Sequence, residues 1–142
     1  MPEFLSEEWF AALASALERL GRADSPAERP TVGLALGQVI TGVPEGSGAV
    51  SAPSGEIRYT ILLREDGSAA LSRSSTEPAD VTLIEDFATG EALMSGRSQV
   101  TSLLAAGRIK MRGDSRALLA AEALLRRAAP LIAASLGGEI AS

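Results

Sequence analysis

The 142 residues are 46% hydrophobic and 22% charged, the balance of a chain that buries a core. With no cysteine and no histidine, the chain cannot form disulfides, thiolate or Ser-His-Asp nucleophiles, or HExxH zinc sites. A net charge of −5 argues against binding a phosphate backbone, so nucleic acid is not an expected partner.

What chemistry remains would fall to carboxylates, Tyr59, arginines or Lys110. The expectation is therefore a protein that is not an enzyme, with no cofactor and no metal. The length suits one domain over residues 1–142. No apolar run reaches the roughly 18 residues of a membrane span. The opening "MPEFLSEEWF" is acidic, unlike a secretory signal. A cytoplasmic location is expected.

"SEEWFAALASALERLG" (6–21) predicts the first helix. Ser6 is its cap, Glu7 and Glu8 suit its first turn, and Gly21 is the expected stop. Trp9, Leu13, Ala16, Leu17 and Leu20 recur at helical spacing as a buried stripe. "RADSPAERP" (22–30) is a connector.

Three strands should follow. "TVGLALGQVITGV" (31–43) is apolar on both alternations, as in a central strand covered on both sides. Gln38 interrupts the phase of Leu34 and Leu36, either as a satisfied core group or as a contact for a ligand's polar head. The stretch 44–55 is a Gly/Ser/Pro loop that matches neither GxGxxG nor a Gly-Lys-Ser/Thr phosphate loop. "EIRYTILLRE" (56–65) alternates, with Ile57, Tyr59, Ile61 and Leu63 on one face. "EDG" (65–67) signals a hairpin into a strand at 68–75.

"ADVTLI" (79–84) reads as a fourth strand, and 85–96 and 98–107 as short helices ending at glycines. In "GRIKMRGD" (107–114), Ile109 and Met111 alternate with Arg108, Lys110 and Arg112, which predicts a half-buried strand over 107–112. Gly113 should break it, and Asp114 should cap a long helix to Leu136 that contains Pro130. Charge is uneven: residues 1–96 hold 15 acidic and 6 basic residues, residues 97–142 hold 3 and 7. Either these are ordinary solvated faces, or Arg108, Lys110, Arg112 and Arg116 form a docking surface for an anionic membrane.

The joint spacing of Asp80, Thr82, Asp86, Phe87, Gly96, Arg97, Gly107, Arg108, Lys110, Gly113 and Asp114 resembles the sterol-binding domain of the sterol carrier protein type two family. The likeness is close over 79–118, and element order extends it along the chain. It implies an α+β fold: a five-stranded mixed sheet of order 3-2-1-4-5, helices over one face, and a hydrophobic tunnel between. Arg112-Gly113-Asp114 is then strand end, turn and cap rather than an adhesion motif. The chain ends in Ile140-Ala141-Ser142, without the Ser-Lys-Leu-like ending of the peroxisomal members.

The implied activity is non-catalytic binding and transfer, or presentation, of a fatty acyl, sterol or isoprenoid-type molecule. The candidate lining is Tyr59, Ile61, Leu63, Leu83, Phe87, Leu93, Met94, Leu104, Ile109, Met111, Leu125 and Ile132, each of which could equally be plain core. The alternative is an accessory domain, monomeric or dimeric, that scaffolds a partner enzyme without holding lipid. A reaction using Asp80, Glu85, Asp86 or Tyr59 is the least expected reading.

Overall fold

In the computed structural model, residues 3–23, 33–50, 55–65, 68–74 and 76–136 are described. The helices are α1 (Glu7–Ala23), α2 (Phe87–Met94), α3 (Val100–Ala105) and α4 (Leu118–Leu136), the last preceded by a 3-10 turn at Ser115–Ala117. The strands are β1 (Leu34–Thr41), β2 (Ile57–Leu63), β3 (Ala69–Ser72), β4 (Val81–Asp86) and β5 (Lys110–Gly113). They form one sheet of order β3-β2-β1-β4-β5. β1 runs parallel to β4, and every other pairing is antiparallel. The α+β class and the strand order are those that the resemblance implies.

Register assembles the core face of the sheet. One row runs Leu71, Ile61, Leu36, Val81; the next runs Tyr59, Gln38, Leu83, Met111; a third joins Ile57, Ile40 and Glu85. Side chains alternate across a strand, so these rows share one side. α2 and α4 pack on that side, and α1 packs on α4 and β3. The predicted α1 stripe, Trp9, Leu13, Ala16, Leu17 and Leu20, is buried in the same cluster. Ser6 caps α1, its Oγ accepting from the Trp9 amide at 3.1 Å.

β1 is buried or half-buried at every position, as its two-sided apolarity predicts. Its second cover is not a helix but the β3–β4 connection. A Cβ on Gly37 would stand 3.1 Å from Ala79 Cβ and 3.0 Å from Thr82 Oγ1. Glycine is what lets that connection lie flat.

Several boundaries differ from the sequence reading. α1 passes through Gly21 to Ala23, because one mid-helix glycine costs only about 1 kcal/mol against a long apolar stripe. The helix expected from residue 85 begins at Phe87, and Glu85 and Asp86 belong to β4. β5 starts at Lys110 and includes Gly113. Asp114 caps a 3-10 turn before α4 begins. At the β2–β3 hairpin the Arg64 amide donates to the Ser68 carbonyl at 2.8 Å. Asp66 and Gly67 themselves lie outside the described residues, as do 24–32 of the connector and strand start, 51–54 of the loop, and Ser75.

Gly113 shows why its place in the signature is fixed. Its φ is +100°, and a Cβ there would run into the Asp80 carbonyl, which accepts from the Asp114 amide at 2.8 Å. Gly113→Ala is expected to lower unfolding stability by roughly 2–3 kcal/mol, from left-handed strain plus a clash with backbone. Urea unfolding measures it; a loss below about 0.5 kcal/mol would mean that the end of β5 relaxes freely.

Candidate functional site

Several signature residues hold backbone in place. Asp80 Oδ2 accepts from the Ala35 amide at 2.7 Å, and the Asp80 amide donates back to the Ala35 carbonyl at 2.9 Å. Asp80 thus ties β4 to β1 on one side and, through Asp114, to α4's entry on the other. Asp86 caps α2, its Oδ1 accepting from the Thr89 amide at 2.8 Å. Hydrogen bonds from Thr89, side chain first and backbone second, hold the Asp86 carboxyl below the usual range. Arg108 donates to Thr89 Oγ1 at 2.9 Å. Two of the carboxylates considered for catalysis are therefore occupied with backbone amides.

All four residues of the basic docking reading are exposed. Arg108 bonds Thr89, and Arg116 pairs with Asp114 at 3.1 Å. Lys110 and Arg112 are exposed on the outer side of β5.

Room for a guest lies along the seam between α2 and α4. One cleft, of about 270 Å³, is walled by Leu93, Val100, Leu125, Ala129 and Pro130, with Glu122 and Arg126 at its polar side. A second, of about 210 Å³, is walled by Phe4, Trp9, Met94, Ile132 and Leu136, with Glu91 and Arg97 at its mouth. Ser95, Ala129 and Ala133 line both. Each falls below the roughly 300 Å³ at which ligand pockets begin, and together they reach it.

Of the twelve candidate lining residues, Leu93 and Leu125 wall the first cleft, and Met94 and Ile132 the second. Tyr59, Ile61, Leu63, Leu83 and Ile109 are buried on the sheet side of the core, with Phe87, Leu104 and Met111 half-buried against it. Phe4 and Trp9 were not among the twelve. Trp9 belongs to the core stripe and the cleft wall alike, its ring 4.9 Å from that of Phe4.

Behind the second cleft the core holds a polar cluster. Gln38 is 1% exposed and its Nε2 donates to Met94 Sδ at 3.1 Å. Tyr59 is 1% and Glu85 2% exposed. Among the described residues, Gln38 Oε1, the Tyr59 hydroxyl and both Glu85 carboxylate oxygens have no hydrogen-bond partner. Burial first, and the Asp86 charge second, push the Glu85 carboxyl up to about 8. Burial, then the Glu85 charge, raises the Tyr59 hydroxyl well above its usual value. Continuing the alternation Val81, Leu83 by one step places Glu85 in the core, where the sequence reading begins a helix at residue 85.

The sequence profile of the SCP-2 sterol transfer family matches residues 48–126. The chain belongs to that family. No curated protein matches it in sequence. Among solved structures, the sterol carrier protein domain 2 of Helicoverpa armigera is 18% identical with a TM-score of 0.59, covering 87% of this chain and 89% of that one. Palmitated SCP2L2 from Aedes aegypti is 18% identical with a TM-score of 0.56, covering 84% and 94%. The UbiJ-SCP2 ubiquinone synthesis protein is 19% identical with a TM-score of 0.50, covering 88% and 93%. These likenesses show a shared SCP-2 fold. Among the described residues, no helix of this SCP-2 domain is long and apolar enough to cross a membrane.

Proposed function

We propose that this SCP-2 family protein binds a long apolar lipid in the α2–α4 seam and carries or presents it without chemical change. The observation that carries this reading is the pair of adjoining clefts walled by Leu93, Met94, Leu125 and Ile132. A carrier needs an apolar surface and a few polar groups, and the apolar walls of the seam, with Glu91, Arg97, Glu122 and Arg126 among its lining, support this reading. The structure of a palmitated SCP2L2 supports the same ligand class.

The energetics suit a carrier. Burying about 16 methylenes at ~0.8 kcal/mol each gives ~13 kcal/mol gross. Association costs of about 4 kcal/mol or more reduce this toward the −8 kcal/mol of a micromolar complex. Such a complex loads and unloads readily. Fluorescent acyl and sterol probes are expected to saturate the protein in the micromolar range. Failure of both to saturate at about 100 μM, with a large apolar contact between two copies, would sink the reading in favour of a scaffold.

A further inference from the structure

We propose that Gln38, Tyr59 and Glu85 form the receptor for the polar head of the bound lipid, and that this receptor prefers a neutral hydroxyl to a carboxylate. The inference rests on the lipid-carrier reading and adds to it the head-group class.

Three strands bring the trio together. Gln38 on β1 faces Tyr59 on β2 in register and Leu83 on β4, and Glu85 is the next residue of β4 on that side, opposite Ile40. All three lie at the centre of the sheet, under the helices. Leaving a buried polar atom without a partner is costly, and four such atoms in one cluster point to a polar group that joins them.

Two walls of the second cleft touch that cluster. Met94 walls the cleft, and its sulfur is the atom that Gln38 holds. Trp9 walls it too, with its ring 5.8 Å from the Tyr59 ring in an edge-on contact. Both cleft residues therefore touch a member of the trio. A thioether is a weak acceptor on a flexible chain, so Met94 is readily displaced by a better partner for Gln38. A head at the trio would leave its tail against Phe4, Ile132 and Leu136.

Donor and acceptor count sets the class. Burial keeps Glu85 protonated near neutral pH, so Tyr59 and Glu85 each offer an O–H, while Gln38 Oε1 only accepts. A hydroxyl guest accepts from Tyr59 or Glu85 and donates to Gln38, satisfying both kinds of group. A carboxylate could accept from Tyr59, Glu85 and the freed Gln38 amide. It only accepts, however, so it leaves Gln38 Oε1 unpaired and brings a charge into a buried site close to the charged Asp86.

The test is titration of the intact protein near neutral pH with 1-dodecanol and dodecanoate, followed by fluorescence of Trp9, the chain's one tryptophan, and by native mass spectrometry. The alcohol is expected to bind about tenfold more tightly than the carboxylate. Tyr59→Phe should weaken the alcohol by about fivefold or more, and Glu85→Gln, which adds an amide donor, should narrow the preference to about threefold or less. Both variants are nearly isosteric, so their folds should hold. Equal affinities that neither variant moves would overturn the head receptor and leave lipid carriage standing. Binding of neither probe, nor of any sterol or acyl probe, would overturn both.

Discussion

Glu85→Gln is expected to raise stability by roughly 5 kcal/mol above about pH 9 and to change almost nothing near pH 4. The sign follows from which state holds the proton. In the unfolded chain the Glu85 carboxyl titrates near its ordinary 4.5; in the fold, burial and then the Asp86 charge push it up to about 8. Below the lower value both states are protonated, and ionisation of the group costs nothing. Between the two, the unfolded state releases its proton while the folded state keeps it, so stability falls as pH rises by about 1.4 kcal/mol per pH unit. Above the upper value the loss is complete.

The other groups near Glu85 do not reverse this. Asp86 is held below the usual range and is already charged, and the Tyr59 hydroxyl is raised well above its ordinary value. Glutamine keeps the shape and never ionises, so it escapes the whole slope. Urea unfolding of both proteins across that pH range would show their curves diverging upward from about pH 5. Parallel curves would mean that Glu85 ionises in the fold as it does in water, and would overturn the prediction.

What the sequence disclosed and what it concealed divide along physical lines. Strand alternation in Ile57, Tyr59, Ile61 and Leu63 located β2 and its buried face, because a period of two needs no knowledge of partners. The spacing from Asp80 to Asp114 located the β4-to-α4 half for a different reason. Asp80, Asp86, Gly113 and Asp114 each hold or admit backbone at a fixed point, so their spacing is the geometry of the fold.

The site was less legible. Nothing local distinguishes Met94 and Ile132, which wall a cleft, from Ile61 and Leu83, which only fill the core, because that depends on how closely α4 approaches α2. Phe4 and Trp9 join the wall only because the N-terminal segment folds back onto α2, with the Leu5 carbonyl accepting from Val50 at 2.9 Å and the Phe4 and Phe87 rings 5.2 Å apart. Gln38 was a polar residue in an apolar phase, and its partners come from β2, β4 and α2, none of them adjacent in sequence.

Pro130→Ala is expected to stabilise α4 by up to about 3 kcal/mol and to slow lipid exchange by about tenfold or more. α4 runs unbroken from Leu118 to Leu136 through Pro130. Proline has no N–H, so the Arg126 carbonyl one turn earlier lacks its helical donor there, and the ring crowds that carbonyl. Beyond Pro130 the helix is held by buried Ile132, with Leu131 and Leu136 half-buried. Few apolar contacts and a missing ladder bond make this turn the cheapest part of α4 to open. It is also the part that matters for access, since Ala133 lines both clefts and Ile132 and Leu136 line the second. Lifting it would merge the clefts and expose Met94. Alanine restores the donor and removes the crowding, so the open state becomes rarer by the factor that the helix gains. Hydrogen exchange should show amides 131–136 less protected than β1 in the parent protein and more protected in the variant. Stopped-flow release of a bound fluorescent acyl probe should slow in step. If protection and release rate both stay unchanged, α4 is not the gate, and the seam must open from the α2–α3 loop at residues 95–99.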